Sequence, residues 1–395
     1  MNTLEKIKQH ARKYRNCTAE NLSAMVKIPS LSGEESEVIL KIKEQLKSAG
    51  ISEVRIDKLG NLLAKVGNGP KILAIDAHID TVDTGDESQW KTPPFSGMMK
   101  DDHVYGRGTV DQEGGAAAMV TAARILNEMQ YNGKYTVFFT FTVMEEDCDG
   151  LCWRYLIEEE KLVPDLALIT EPTNLGIYRG HRGRMEMEVY IRGLSAHGSA
   201  PERGKNVIYS GAGTALEIEK LHDRLKTDAF LGKGSIAATV FRSDSPSLCA
   251  IPDKAFLHID RRLTWGEDKE SALREIENIL GSDSKVTVPL YCRPSYKGTV
   301  FKQEKYFPTW KIPEEHFFVQ TGRNTYNSLF HEEPRIDKWT FSTNAVAICG
   351  MHKIPCIGFG PGNEVYAHAP NERVSVDHLE KASAFYALLP YMLEK

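Results

Sequence analysis

Four short apolar runs constrain this chain more than any other feature: KILAIDA (71–77), TVFFTFTV (136–143), DLALIT (165–170) and IPCIGFG (354–360). Each is rich in Ile, Val and Phe, and none alternates cleanly between apolar and polar residues. They therefore read as strands buried on both faces, as in a parallel sheet. Between the first two lies EGGAAAMVTAARILNEM (113–129), a helix of small residues. Strand and helix in alternation define an α/β domain. Ahead of this core the sequence predicts two helices, over 4–26 and 34–49, and a hairpin over 51–66 that turns at Gly60-Asn61.

The stretch from Gly180 to Cys292 has another texture. RMEMEVYIRG (184–193) alternates apolar and polar residues, the pattern of a strand with one exposed face. A helix over 207–225 follows, then SIAATVF, AFLHIDRRL, the helix DKESALREIENIL and KVTVPLY. That order, βαββαβ, is the ferredoxin-like arrangement. The fold expected is thus α/β: a mixed, largely parallel sheet flanked by helices, interrupted by an α+β domain. The divisions fall at 1–179 and 294–395 for the two parts of the α/β domain, and 180–293 for the insertion.

The composition excludes several classes. Among 395 residues, 49 Lys and Arg stand against 54 Asp and Glu, a net charge of -5. That is no basic footprint for nucleic acid and no polybasic patch for an anionic membrane. No apolar stretch approaches the ~18 residues of a membrane span. The opening MNTLEKIKQHARKYRN lacks the apolar centre of a signal peptide. Seven scattered cysteines, with no CxxC among them, read as free thiols of a reducing compartment. A cytoplasmic location is expected.

The ionisable residues fall in register with the strands. His78 and Asp80 follow the first run, Glu145 and Glu146 the second, and Glu171 the third. His368 lies in the loop after the fourth, and Asp111 just before the 113–129 helix. Open α/β sheets place ligands at the C-terminal ends of such strands. Taken singly, each residue has a plain alternative: Asp111 can cap a helix, Glu145-Glu146 can be a solvated turn, His78 a hydrogen-bonded loop residue. Their coincidence on one sheet edge changes the balance. Two His and several carboxylates without Cys suit a borderline-hard divalent metal. In HxD, Asp80 shares a face with His78 and could accept from the ring nitrogen that does not bind metal. Adjacent acids such as Glu145 and Glu146 can divide metal binding and proton transfer between them. The glycine-rich pieces around Gly106 and Gly358 lack dinucleotide spacing, and no GxSxG elbow occurs.

Six motifs stand in one order: AHIDTVDTGD (77–86), GRGTVDQEGG (106–115), MEEDCDG (144–150), ITEPT (169–173), AHGSAPERGKN (196–206) and GPGNEVYAHAPNE (360–372). Together they resemble the dizinc amidohydrolase family of acetylornithine deacetylase, succinyl-diaminopimelate desuccinylase, aminoacylase and glutamate carboxypeptidase. The likeness spans nearly the whole chain, and a subgroup described as selenium-metabolism-linked hydrolases is nearest. It implies a zinc-peptidase-like fold whose insertion serves as lid and dimerisation module, and therefore a homodimer. It also implies two divalent ions, Zn2+ first and Co2+ or Mn2+ as alternatives. His78 and Glu171 would hold one ion, Glu146 and His368 the other, with Asp111 bridging. Asp80 would orient His78, Glu145 would be the general acid/base, and His197 would stabilise the oxyanion, in this family commonly across a dimer interface, with action in cis or in trans left open. Arg262 would hold the carboxylate of a small amide substrate, and Asn344 resembles a pocket-loop position that could contact substrate, with a plain turn as the equal alternative. The Asp111–Gln112 bond matches a position found cis in this family.

Two departures set the chain apart. Cys249 stands before Ala250-Ile251-Pro252 where relatives carry an Asn, and the aromatic, proline-rich tract from Tyr296 to Gln320 is longer than in the deacetylases. The reaction implied is amide hydrolysis of an N-acyl amino acid or peptide-like substrate by a metal-bridged hydroxide, with Glu145 moving the proton. A di- or aminopeptidase of the same family is the alternative, decided by whether the substrate needs a free α-amine. A non-hydrolytic metal-binding protein is the rival from another class, and it has no use for Glu145 or His197.

Overall fold

In the computed structural model, which describes residues 2–395, the elements follow the expected order. Helices α1 (Thr3–Val26) and α2 (Ser36–Ser48) lead through β1 (Val54–Ile56) and β2 (Leu62–Val66) to β3 (Lys71–His78). Next come α3 (Glu113–Glu128), β4 (Tyr135–Thr142), α4 (Leu151–Glu158), β5 (Leu166–Ile169) and β6 (Ile177–His181). The insertion comprises β7 (Gly183–Arg192), α5 (Val207–Arg224), β8 (Ser235–Asp244), β9 (Lys254–Leu263), α6 (Lys269–Glu277) and β10 (Ser284–Thr287). The chain returns through β11 (Tyr306–Phe307), β12 (Trp310–Lys311), α7 (Phe317–Phe330), β13 (Ile336–Trp339), β14 (Cys356–Gly358) and α8 (Val376–Met392).

Nine strands form the main sheet in the order β1-β2-β4-β3-β5-β14-β6-β12, with β13 also on β6. The four apolar runs are its centre: β4, β3, β5 and β14 are parallel neighbours, and most of their residues are buried. Helices α1, α3 and α8 pack against one another on one face. The composition of α3 explains how closely it lies. A Cβ at Gly115 would stand 2.4 Å from Thr170 Oγ1, so only glycine permits the approach at its first turn. Farther along, Ile125 and Leu126 are wholly buried, each contributing about 2 kcal/mol of burial.

The insertion has its own core and a five-stranded sheet, β8-β9-β7-β10 with β11 also on β7. This is the ferredoxin-like order. Along β7, Met185, Met187, Val189 and Ile191 are buried, so Arg184, Glu186 and Glu188 occupy the opposite face. The return tract belongs to both units. Its β11 pairs with β7 in the insertion, and β12 pairs with β6 in the main sheet. Tyr296 Oη and Thr299 Oγ1 donate to the carbonyls of Gly60 and Lys58 at 3.0 and 2.6 Å. The long aromatic tract thus straps the insertion to the main sheet. No helix among the described residues is long and apolar enough to cross a membrane.

Candidate metal centre

His78 is the last residue of β3, Glu145 and Glu146 lie just beyond β4, and Glu171 follows β5. The loops before α3 and after β14 bring Asp111 and His368 to the same edge. His78 Nε2 stands 2.9 Å from Asp111 Oδ1 and 3.5 Å from Glu171 Oε1. His368 Nε2 stands 3.3 Å from Asp111 Oδ2 and 3.0 Å from Glu146 Oε1. The two oxygens of Asp111 therefore face two different histidines, each of which faces a further glutamate. In two triads, His78 with Glu145 and Glu171 and His78 with Asp111 and Glu146, the ligand atoms lie within 4.8 Å of one another. The Asp111–Gln112 peptide is cis.

Asp80 does something other than the sequence suggests. His78 Nδ1 is 2.8 Å from the backbone carbonyl of Asp80, while the carboxylate is 3.6 Å away, too far for a hydrogen bond. The carboxylate instead accepts from the amides of Glu145 (3.1 Å) and Glu146 (3.0 Å) and from Ser32 Oγ (2.6 Å). The two preceding amides are captured likewise, Met144 by Glu35 Oε1 and Val143 by Asn61 Oδ1. Four consecutive amides, 143–146, thus end on side-chain acceptors from three other segments. Met144 sits at φ 63°, a strained position that these bonds hold. Burial and the nearby Asp80 push Glu35 up to about 8.

A second clamp holds Asp111. Glu372, wholly buried, accepts from the amides of Val110 and Asp111 through Oε1 and of Gly108 through Oε2. Arg107 pairs with Glu372 at 2.7 Å and reaches the carbonyl of His368, tying the Asp111 and His368 loops together. Both residues lie within the motifs GRGTVDQEGG and GPGNEVYAHAPNE, so their place in those motifs was the available signal.

The electrostatics follow from carboxylates crowded out of water. Burial and Asp149 push Glu145 well above the usual carboxylate range. Burial and Asp111 do the same to Glu171, and they raise Glu146. Burial would raise Asp111 too, but hydrogen bonds from His368 and His78 hold it low. Contacts with Asp111 and Glu146 lift His368 to about 10. Glu145 Oε1 and Glu171 Oε2 are buried without a partner. Buried charges are paired or coordinate metals, and this all-His and carboxylate donor set fits divalent cations.

A cavity of about 360 Å³ opens over these groups, lined also by Arg262, Arg184 and Asp149. Arg262 is gripped by Asp260 through Nε at 2.8 Å and Nη2 at 3.2 Å. Arg184 and Asp149 were not singled out from sequence. Asn344 is not in the cavity. Its side chain is buried, with Oδ1 accepting from the Gly150 amide and Nδ2 donating to Asp76 and Thr142. It joins β3 to the turn before α4 and has no free atom for a substrate. His197 is exposed and lies outside the cavity lining.

This arrangement is that of a metal-dependent hydrolase, and the chain belongs to peptidase family M20/M25/M40, whose model matches residues 74–391. It is therefore a hydrolase of amide bonds. Among curated relatives, the uncharacterized protein YgeY of Escherichia coli (strain K12) is 47% identical over 97% of this chain and 96% of its own. A probable succinyl-diaminopimelate desuccinylase of Staphylococcus epidermidis (strain ATCC 12228 / FDA PCI 1200) is 35% identical over 95% of this chain and 97% of its own. Of the solved structures, the aminopeptidase PepT of Bacillus cereus ATCC 10987 superposes with a TM-score of 0.74 at 19% identity, covering 96% of this chain and 99% of its own. A dinuclear metal-binding M20 peptidase of Bacillus subtilis does so with 0.70 at 16%, covering 97% and 99%. These two share the fold.

Proposed function

We propose that this chain hydrolyses the amide bond of an N-acyl amino acid or a small peptide-like substrate bearing a free carboxylate, using two divalent cations, zinc first among them. One observation carries the reading: each oxygen of Asp111 faces a different histidine, beside a buried Glu145 oxygen with no partner. His78 and Glu171 would hold one ion, Glu146 and His368 the other, and Asp111 would lie between them. The chemistry that two bound cations supply is a water of lowered pKa and a polarised carbonyl. Glu145 takes a proton from the attacking water and delivers it to the leaving amine. Its buried, unpartnered oxygen beside the candidate ligands places it to do both.

His197 would meet the oxyanion. Its Nδ1 accepts from the Ser199 amide at 3.1 Å, which leaves the ring proton on Nε2, a donor of the needed kind. His197 lies outside its own chain's cavity, which accords with a second copy supplying it. A homodimer through the inserted domain is supported by the surface there. Strand β8 is an edge with Phe241 exposed, and α5 exposes Ile208, Tyr209 and Leu216. The seven free cysteines accord with a cytoplasmic location.

A di- or aminopeptidase reading has one observation in its favour. Glu364 Oε2 and Asp149 Oδ2 are buried without partners in residues that line the cavity, acceptors suited to an α-ammonium. Metal analysis coupled to a hydrolysis screen over N-acyl amino acids, dipeptides and carbamoyl amino acids tests both. The expected result is two ions per chain and turnover in one substrate class, with dependence on a free α-amine separating the two readings. A protein that is inert toward all three classes in Zn2+, Co2+ and Mn2+ sinks both.

A further inference from the structure

Arg184 and Arg262 are direct cross-strand partners in the antiparallel pair β7–β9. Like charges set opposite one another destabilise a sheet unless something between them compensates. Each has acids beside it: Arg262 is gripped by Asp260, and Arg184 Nη2 is 3.2 Å from Asp149 Oδ1 and 3.7 Å from Glu186 Oε1. Those acids leave donors over. Arg184 Nε is buried without a partner. Its guanidinium lies 4.7 Å over the ring of the buried Phe307, which fixes its plane. Both arginines line the cavity above the candidate metal ligands. Ser342 lines it too, and its Oγ is buried without a partner.

We propose that Arg184 is a specificity-determining residue that, together with Arg262, grips one carboxylate of the substrate. This rests on the reading of the chain as an amide hydrolase whose substrate carries a carboxylate. Three features point to Arg184 in particular. Opposed positions on paired strands have Cβ atoms about 5 Å apart, so two guanidinium groups there converge on a single anion. A planar fork with an unused Nε offers the parallel hydrogen bonds that a carboxylate accepts. The carboxylates Asp111, Glu145, Glu146 and Glu171 line the same cavity and repel an anion, so an anionic group settles against the two arginines. That orients the amide toward the metal ligands.

The test compares wild type with Arg184→Lys and Arg184→Gln in the metal-loaded, full-length protein. Substrates are N-acetyl amino acids, dipeptides and N-carbamoyl amino acids, each as free acid and as α-carboxamide. Wild type should prefer the free acid by 100-fold or more in kcat/KM. Both variants should cut that preference at least tenfold through KM, with kcat within about threefold. Arg184→Lys keeps the charge beside Asp149, so its metal content and Tm should match wild type. A preference unchanged in a folded, metal-loaded Arg184→Lys overturns the inference. Calorimetric binding of succinate gives a reading without turnover: Arg184→Lys should bind it at least tenfold more weakly than wild type, and equal affinity, or no binding to wild type, overturns the inference. If no amide is cleaved but succinate affinity falls as stated, the hydrolytic reading fails and the role of Arg184 stands.

Discussion

Replacing Asp80 by Ala separates two roles that the HxD motif leaves entangled. If its carboxylate served mainly to orient His78, the loss would be confined to the histidine. The geometry says otherwise, because His78 Nδ1 is held by the Asp80 carbonyl, which the substitution leaves in place. What disappears is the acceptor for the Glu145 and Glu146 amides and for Ser32 Oγ, all buried or nearly so. A hydrogen bond to a charged acceptor contributes about 1.5–3 kcal/mol. The two amide bonds together therefore contribute at most roughly 6 kcal/mol to the local stability of that loop. Relaxation and entering water reduce this, and about 3 kcal/mol is a reasonable net loss, or roughly 100-fold in local opening. Hydrogen exchange of residues 143–146 should then be about 100-fold faster in Asp80→Ala, with exchange at β3 unchanged. The Glu146-held ion should be bound 10- to 100-fold more weakly, as for other groups that position metal ligands. Asp80→Asn, which keeps an acceptor for only one of the two amides, should fall between. Unchanged exchange at 145 and 146, with metal affinity lost all the same, would refute the clamp and restore the imidazole-orienting role.

Glu145→Ala should retain both ions while losing about 10²–10⁴-fold in kcat; substantial residual turnover removes Glu145 from the mechanism. Mixing inactive His197→Ala with inactive Glu145→Ala protein should regenerate activity through hybrid dimers, since each hybrid has one site with both groups intact. No recovery after verified subunit exchange points to a cis arrangement. Burial holds His181 at about 4, so between pH 4 and its unperturbed ~6.5 the unfolded chain binds more protons than the native one. Its contribution is complete above pH ~6.5 and is lost as pH falls through that window, by at most ~3 kcal/mol. Urea unfolding from pH 7 to 4.5 should show a shallower acid slope in His181→Gln than in wild type, and equal slopes refute the assignment.

The sheet was legible because its four central strands are buried on both faces, which forces short continuous apolar runs rich in β-branched and aromatic residues. The insertion was legible for the opposite reason. Its strand β7 has one polar face, and Arg184, Glu186 and Glu188 alternate with a buried Met185, Met187 and Val189. The return tract was not. It consists of two-residue strands and single side chains reaching distant carbonyls, such as Tyr296 to Gly60, and such contacts leave no periodicity to read.

The site divides along the same line. His78, Glu145, Glu146 and Glu171 follow strands directly, so a strand end fixes their place. The groups that hold them still are another matter. Glu35, Asn61, Asp80 and Glu372 each act through a backbone amide of another segment, and an amide has no residue identity to mark it as a partner. Asn344 misled for the converse reason, since a side chain wholly consumed by Gly150, Asp76 and Thr142 looks in sequence like any other loop amide. A crowded carboxylate cluster needs such a scaffold. Its members repel one another when no cation is bound, and their loops would spread unless something else held them. Here the restraint comes from oxygens aimed at amides, which fix the backbone while leaving the Glu145 and Glu171 side chains free to face the cavity.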